Sequence, residues 1–307
     1  MKRVLVAGEL NVDIVLQGYR SFPRPGKEVL VDDFEMVLGS ASAICAMGLA
    51  RLGTSVAFLG KIGDDTWGRY CLDSLKGRGI ETGRVVRDPG LKTGLTVAIT
   101  SSRDRALVSY LGSINALTAD DLPASAFAGF AHLHVSSFFL QDKLTSGCAE
   151  VFARAHQAGL TTSLDPGYDP SERWDGRLSD ALEHLDVFFP NDVELRGLSR
   201  CQDVADGLRR LDNGRTLIVA KLGAGGAMAL DHGQPLHIPA FKIASVDTTG
   251  AGDSFDAGFL HAWLREAPLA ECLRLGSACG ALSTLGLGGT ARQPTLAEAE
   301  ALILGAA

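Results

Sequence analysis

The chain has 307 residues, of which 46% are hydrophobic and 21% charged, and its formal net charge is −7 at pH 7. This length allows one large α/β domain with a sizeable core, and the composition is that of a globular protein rather than a disordered or fibrous one. The acidic balance argues against nucleic acid as a partner, because a nucleic-acid-binding surface has clustered Lys and Arg.

Cysteine usage and hydropathy predict a cytoplasmic protein. The six cysteines are scattered without CxxC pairs, in a chain too long to need disulfides, so we expect reduced thiols. The apolar run in the N-terminal MKRVLVAGELNVD ends at Gly8, which is too short for the core of a signal peptide. No stretch approaches the length of a membrane span, so no membrane partner is expected.

Short β-rich segments alternate with longer helical patterns along most of the chain. The series begins with VLVAG, ASAICAMGLARLG, VAFLGKIG and DDTWGRYCLDSLKGRGI. It resumes with AHLHVSS, a helical segment at 143–158, LTTSLDPG, a helix at 179–185, VFFPN, a helix at 204–211 and TLIVAKLG. Such βαβ alternation predicts a mostly parallel sheet covered by helices on both faces.

Two regions, 13–37 and 92–113, contain strand patterns only. We expect them to form a small antiparallel sheet that acts as a lid over a catalytic domain made of 1–12, 38–91 and 114–307. The alternative is an antiparallel edge of the main sheet. The alternation in VLVDDFEMV would suit pairing with another copy, so a homodimer through the lid is also expected.

The segment DTTGAGDSFDAG at 247–258 predicts an anion-binding helix N-terminus. Extended residues lead to Asp247, and a helix with an apolar face begins at the glycines. The first amides of a helix lack intrahelical partners and carry partial positive charge. The backbone of Gly250, Ala251 and Gly252 can therefore receive a phosphate, and the absence of side chains on the glycines permits close approach.

Asp253 lies in the same first turn, beside the proposed anion site. The helix dipole should keep it ionised and therefore a weak base, but phosphoryl transfer has a loose transition state in which positioning matters more than basicity. We predict that it takes the proton from an attacking alcohol. The alternative is that Asp253 only stabilises the helix start. No GxxxxGK[ST] loop and no GxGxxG turn after the first strand offers a competing nucleotide site.

These residues resemble the PfkB (ribokinase-like) family of sugar and nucleoside kinases over nearly the whole chain. DTTGAGDSFDAGF is similar to the family's C-terminal signature, GELNVD to its sugar-binding strand, GDDTWG to its GDDxFG turn, PNDVE to its PNxxE segment and KLGAGG to its LGxxG turn. The resemblance implies a three-layer α/β/α sandwich with a mostly parallel sheet and a small β-sheet lid. It also implies an ATP-dependent, Mg²⁺-requiring kinase that phosphorylates a primary hydroxyl of a sugar.

The resemblance makes Asp253 the catalytic base and the backbone of 250–253 the anion hole. It assigns Asn191 and Glu194 to the organisation of phosphates and Mg²⁺, with Glu194 acting through water, which suits a metal that keeps its hydration shell. From spacing alone, the same pair would be a helix cap and a solvated acid.

On the nucleotide side, the resemblance assigns Lys221, Gly223 and Gly226. A lysine at a strand end would otherwise be a surface charge. Asp247 and Thr249 match a stretch that holds a monovalent cation, such as K⁺, in some family members.

The acceptor side of the site is predicted from separate segments. Asn11 and Asp13 are two residues apart and so share one face of a strand, where their polar groups suit a polyol. The resemblance assigns both to sugar hydroxyls, and it adds Gly39 and Ser40 from the family's first signature. Arg105, near the lid turn, is a further candidate for substrate contact, with solvation as its alternative.

The first signature departs from the family's GGxxANxA pattern, because Ser40 replaces the second glycine and Ile44 replaces an asparagine. Ile44 either lines an apolar wall of the pocket or packs within its helix. A sugar kinase is the preferred function. A nucleoside kinase of the same family and a non-catalytic sugar or nucleotide sensor remain alternatives.

Overall fold

The computed structural model describes residues 2–19, 21–100, 105–175 and 177–305. In chain order its main elements are β1 (Arg3–Ala7), β2 (Asn11–Gln17), β3 (Asp33–Leu38), α1 (Ala41–Arg51), β4 (Ser55–Gly63), α2 (Thr66–Gly77), β5 (Glu81–Asp88), β6 (Gly94–Thr100), β7 (Arg105–Tyr110), β8 (His132–Val135), α3 (Asp142–Thr145), α4 (Cys148–Gln157), β9 (Thr161–Leu164), α5 (Leu178–Leu182), β10 (Val187–Phe188), α6 (Asp192–Ser199), α7 (Val204–Leu211), β11 (Leu217–Lys221), β12 (Ala227–Asp231), β13 (Gln234–Ile238), α8 (Ala251–Trp263), α9 (Leu269–Ser283) and α10 (Leu296–Gly305).

The larger sheet of the described residues has the strand order β13-β12-β11-β10-β9-β8-β1-β4-β5. The strands from β11 to β5 are parallel, and β12 and β13 add an antiparallel hairpin at one edge. The predicted parallel α/β sheet is therefore confirmed. The chain leaves β1 on one side toward β4 and later returns on the other side at β8, so the carboxyl end of β1 borders a crevice where ligands bind in such sheets.

Helices cover both faces of this sheet because its central strands are apolar on both sides. In β1, Val4 and Val6 pack into one core cluster with α1, α8 and α9, while Leu5 and Ala7 pack into a second cluster with α4, α6 and α7. All four side chains are fully buried. The continuous apolar run VLVA is thus the sequence of a strand buried on two faces.

The smaller sheet, which we call the lid, has the order β3-β2-β6-β7. Its outer pairs are antiparallel, as expected, whereas the central β2–β6 pair is parallel. The lid is separate from the larger sheet, so the alternative of an edge extension is wrong. Strand β3 begins at Asp33, and residues 29–32 of VLVDDFEMV are not in a strand. The division of the chain into two domains stays a prediction.

The helix expected across 143–158 is two helices, α3 and α4, separated at Ser146 and Gly147. A Cβ on Gly147 would lie 2.5 Å from the Cβ of Ala119, so close packing requires glycine there, and glycine is a poor residue for a helix interior. The six cysteines are all free thiols. Among the described residues, no helix is both long enough and apolar enough to cross a membrane.

Candidate active site

The first turn of α8 presents backbone N–H groups at the carboxyl edge of the larger sheet. Gly250 caps the helix with φ 71°, and its carbonyl accepts from Ser254 N at 2.9 Å. A Cβ on Gly250 would lie 2.5 Å from Gly289 Cα, so both the backbone conformation and the packing require glycine. The motif therefore forms the helix N-terminus that the sequence predicts.

The amides of this turn are not equivalent. Ala251 N already donates to the carbonyl of Thr248 at 3.2 Å. Gly252 occupies the next helical position, where the N–H group of a helix ordinarily lacks an intrahelical acceptor. The side chain of Asp253 is half-buried. An anion at this turn would consequently meet the N–H of Gly252 more readily than that of Ala251.

Three carboxylates and one lysine meet beneath this turn, and we call Asp165, Asp253, Asp256 and Lys221 the acid cluster. One oxygen from each of the three acids lies within 4.8 Å of the others. Lys221 is 9% exposed, and its Nζ donates to Asp165 Oδ2 at 2.5 Å and to both oxygens of Asp256 at 3.2 Å. A Cβ on Gly252 would be 3.3 Å from that Nζ. Lys221 is therefore a buried cation under the helix N-terminus, not a surface charge.

Burial and mutual charge set the protonation of the acid cluster. Burial disfavours ionisation of Asp165, but the Lys221 charge and hydrogen bonds hold its pKa below the usual range. The pKa of Asp256 is raised well above its usual value by burial and by the neighbouring carboxylates. Burial also opposes the Lys221 charge, yet Asp165 and Asp256 raise its pKa. An ionised Lys221–Asp165 pair thus stands beside Asp253.

Asn191 and Glu194 begin α6 and form a capping box. Asn191 Oδ1 accepts from Glu194 N at 2.9 Å, and Glu194 Oε2 accepts from Asn191 N at 2.8 Å. Glu194 is only 3% exposed, so the pair is a helix cap whose acid is buried rather than solvated. Burial, reinforced by the Asp165 charge, raises the pKa of Glu194 to about 8. A cation placed near this carboxylate would relieve that cost, which fits a Mg²⁺ site.

The KLGAGG segment forms a tight turn after β11. Gly223 and Gly226 both have positive φ, 54° and 93°, and Leu222 N donates to Gly226 O at 2.8 Å. A Cβ on Gly226 would lie 2.0 Å from Ile238 O. The turn therefore needs glycine at 226. Because it directly follows β11, it lies next to Lys221 and the acid cluster.

On the other side of the crevice, β2 presents Asn11 and Asp13 next to Gly39. Asn11 Nδ2 donates to Asp13 Oδ1 at 2.8 Å. A Cβ on Gly39 would lie 2.1 Å from Asp13 Oδ1 and 2.5 Å from Asn11 Nδ2. The structure therefore brings these three predicted acceptor residues together, and a side chain at position 39 would have to displace the Asn11–Asp13 pair.

Helix α1 connects the acceptor residues to the α8 turn. Its N-cap Ser40 has φ 75°, a conformation that costs a residue with a Cβ about 1–3 kcal/mol, and its Oγ accepts from Ala43 N at 2.9 Å. Ile44, one turn later, is buried and approaches Gly250 and Gly289. Ile44 thus packs between α1 and the α8 turn, and Ser40 keeps the backbone shape that the family's glycine allows.

The remaining predicted residues lie at the margins. Asp247 Oδ1 accepts from Thr249 N at 2.9 Å and Thr249 Oγ1 at 2.8 Å, and Asp247 Oδ2 accepts from Gly288 N at 2.8 Å. Asp247 thereby fixes the loop that leads into α8. The backbone of Arg105, the first residue of β7, pairs with that of Thr100, the last residue of β6. The side chain of Arg105 lies outside the described part of the structure.

Three buried acids near the site were not predicted from the sequence: Glu9, Asp165 and Asp256. Glu9 and Asp165 follow β1 and β9 directly or within two residues, and ligands of parallel sheets bind at such carboxyl ends. That positional rule would have found both. Asp256 is three residues after Asp253 on the same helix and so lies on the same face.

Comparisons with known proteins show the family and the fold of the chain. The family model described as "pfkB family carbohydrate kinase" matches residues 1–296. The chain is 30% identical over 306 residues to an ATP-dependent ribose-1-phosphate kinase of Halopiger xanaduensis, covering 99% of this chain and 98% of that protein. It is 32% identical over 275 residues to a fructokinase of Klebsiella pneumoniae, covering 83% and 88%. The structure of Arabidopsis thaliana ribokinase complexed with ribose and ATP has the same fold, with a TM-score of 0.83, 22% identity and 98% coverage of both chains.

Proposed function

The chain belongs to the family of pfkB carbohydrate kinases, and from that premise we propose that it transfers the γ-phosphoryl group of ATP to a primary hydroxyl of a sugar. The observation that carries the proposal is the first turn of α8. Gly252 lies in the first turn, where the N–H groups of a helix ordinarily lack intrahelical acceptors, and the Asp253 carboxylate lies beside it with the buried Lys221–Asp165 pair behind.

In this proposal the backbone of 250–253, including Gly250, Ala251 and Gly252, is the anion hole, with the Gly252 N–H as its main donor because Ala251 N–H already donates to the Thr248 carbonyl, and Asp253 is the base. The acceptor oxygen attacks the γ-phosphorus, the bond from that phosphorus to the β-bridging oxygen breaks, and ADP leaves. The proton of the attacking hydroxyl passes to the Asp253 carboxylate. Lys221 balances the negative charge that Asp165 would otherwise add below the turn.

Mg²⁺ would supply charge neutralisation on the transferring phosphates. The residues that would hold it are Glu194, through water, and Asn191, which orients Glu194. The raised pKa of the Glu194 carboxyl supports a cation there. Lys221, Gly223 and Gly226 would line the nucleotide side, and the loop fixed by Asp247 and Thr249 is the candidate for a monovalent cation such as K⁺.

The acceptor would lie against Asn11, Asp13, Gly39 and Ser40, with Arg105 as a further candidate from the lid. The pair of side-chain polar groups on β2 matches vicinal hydroxyls, and no aromatic side chain is among these residues. A polyhydroxylated acceptor therefore suits the pocket better than a nucleobase. The names of the relatives direct the choice toward ribose, ribose 1-phosphate and fructose.

An ADP-release assay with a panel of acceptors tests this function. The panel contains ribose, ribose 1-phosphate, fructose and several nucleosides, each with ATP and Mg²⁺. We expect turnover with at least one sugar and at least tenfold lower kcat/KM with every nucleoside. Turnover that favours a nucleoside would support a nucleoside kinase instead. Sugar binding by calorimetry without ADP formation from any acceptor would support a sensor.

The lid also supports a homodimer. Phe34, Val108 and Tyr110 are all exposed, Phe34 by 67%, and the strand register places them on the face of the lid opposite Asp13. Exposed apolar patches of this kind commonly mark interfaces. Sedimentation should give about twice the monomer mass, and Phe34→Ser with Val108→Ser should yield a monomer. A wild-type protein that is monomeric at micromolar concentration would contradict the proposal.

A further inference from the structure

Glu9 is a buried carboxylate held by neutral donors rather than by a paired lysine or arginine. It lies between β1 and β2, is 3% exposed, and burial raises its pKa. Oε1 accepts from Ser42 N at 3.2 Å and Ser137 Oγ at 3.0 Å, and Oε2 accepts from Ser42 Oγ at 2.6 Å and Gln141 Nε2 at 3.3 Å. Ser40 Oγ also lies 3.2 Å from Oε1, so five neutral donor groups surround a carboxylate that offers about four acceptor positions.

These donors come from two segments, and Glu9 connects them. Ser42 belongs to the first turn of α1, whereas Ser137 and Gln141 lie between β8 and α3. The main chain of Glu9 adds a third tie, because its carbonyl accepts from Ser40 Oγ at 2.6 Å. Glu9 is therefore the point at which the start of α1 is fixed to the carboxyl edge of the sheet.

The start of α1 is also one wall of the acceptor pocket. Gly39 is in van der Waals proximity to Asn11 and Asp13, and the next residue, Ser40, is held in a left-handed conformation that a side chain disfavours. Without the ties to Glu9, Ser40 would be free to relax toward negative φ. That relaxation would move Gly39 relative to Asp13.

We propose that Glu9 is a positioning residue for the acceptor pocket: it holds the Gly39–Ser40 backbone against Asn11 and Asp13 and thereby sets the affinity for the acceptor sugar. This inference rests on the proposed function. The nucleotide side is remote from it, since β11 is four strands from β1 in the larger sheet, a separation of about 19 Å. Glu9 should therefore affect the acceptor and not ATP.

Glu9→Gln tests the idea with almost no change in volume. Its amide NH₂ must face a donor in either orientation. If the NH₂ takes the Oε1 position, it faces the backbone N–H of Ser42, which can only donate. If it takes the Oε2 position, it faces Gln141 Nε2, whose side chain cannot turn its oxygen toward the NH₂ without losing the bond to Ser136 O at 2.7 Å. We expect the KM for the best acceptor to rise about tenfold, the loss for one hydrogen bond to a charged group. The kcat and the KM for ATP should stay within about twofold.

A double variant separates positioning from a general loss of structure. Glycine adopts positive φ without strain, so Ser40→Gly should hold the backbone shape without help from Glu9. The effect of Glu9→Gln on acceptor KM should then shrink from about tenfold to under about threefold when Ser40→Gly is also present. Glu300→Gln, on the exposed face of α10, is the matched control and should change no kinetic constant.

Three outcomes would overturn the proposal. They are an unchanged acceptor KM in folded Glu9→Gln protein, equal increases in the KM values for acceptor and ATP, and a Glu9→Gln effect that Ser40→Gly leaves undiminished. If Glu9→Gln does not fold, Ser137→Ala removes one donor only, and it must raise acceptor KM without changing the KM for ATP. Wild-type turnover with the sugar panel is measured first, so a failure of the proposed function is seen separately from a failure of this inference.

Discussion

The two sides of the crevice are built on different physical principles. The transfer side consists of the acid cluster and the first turn of α8, where buried charges and backbone dipoles lie within a few ångströms of one another. The proposed acceptor side consists of Asn11, Asp13 and the Gly39–Ser40 backbone, which hydrogen bonds from uncharged donors hold in place without a salt bridge among these residues. The difference suggests that charge governs the rate of transfer, whereas backbone geometry governs which acceptor binds.

Asp253→Asn should have the largest effect of these variants, a fall in kcat on the proposed transfer side. If Asp253 is the base, as we propose, its loss should lower kcat by about 10²- to 10⁴-fold, because general-base catalysis contributes that much, while the amide keeps the shape of the side chain. ADP-release kinetics measure the rate, and calorimetry should find ATP affinity within about threefold of wild type. Asp73→Asn, exposed on α2, is the control. Wild-type turnover in Asp253→Asn protein would remove Asp253 from the mechanism.

Lys221→Met should lower the free energy of unfolding by about 3–5 kcal/mol, because Asp165 would be left as a buried charge without its partner. Urea denaturation measures the change, and Lys242→Met, at an exposed lysine, is the control. A loss below about 1 kcal/mol would mean that the acid cluster is not held together by charge. The transfer side would then resemble the acceptor side more than we infer.

Asp13→Asn should affect the acceptor side by a smaller amount. The variant keeps an oxygen that can accept from Asn11 Nδ2, so the pair survives, but the acceptor sugar loses a charged partner. We expect its KM to rise about tenfold, with kcat nearly unchanged. Asp33→Asn, exposed on the same small sheet, is the control. A fall in kcat with constant KM would place Asp13 in the transfer step instead.

The smallest predicted effect is a change with pH in the apparent affinity for Mg²⁺, which depends on the protonation of Glu194. With a pKa of about 8, its carboxyl is mostly protonated at pH 7, and Mg²⁺ needs the ionised form. The apparent affinity for Mg²⁺ should therefore rise about fivefold from pH 7 to pH 8 and level off above that. Activity measured against Mg²⁺ concentration at each pH gives the curve.

Glu194→Gln should abolish this pH dependence, while Glu183→Gln, at an exposed glutamate, should retain it. An affinity for Mg²⁺ that does not vary between pH 7 and 8 in the wild-type protein would show that Glu194 does not hold the metal.

Local sequence patterns were sufficient to predict an element whenever its structure depends on one continuous segment. The run VLVA, buried on both faces, predicts a central parallel strand, and Gly250 predicts the start of α8, because hydrophobic periodicity and positive φ depend on neighbouring residues only. The strand-only regions predicted a separate small sheet. The parallel β2–β6 pairing within it was not predicted, since it joins segments about 80 residues apart.

By itself, the sequence determined the parallel sheet, the small sheet and the start of α8 at Gly250, because short-range sterics and periodicity encode them. Only the tertiary structure decided that Lys221 is paired with Asp165 and Asp256, that Glu194 is buried, and that Glu9 ties α1 to the sheet. Each of these facts depends on burial and on distances between segments remote in the chain. Burial and distance set the energy of a charge, and a linear pattern records neither.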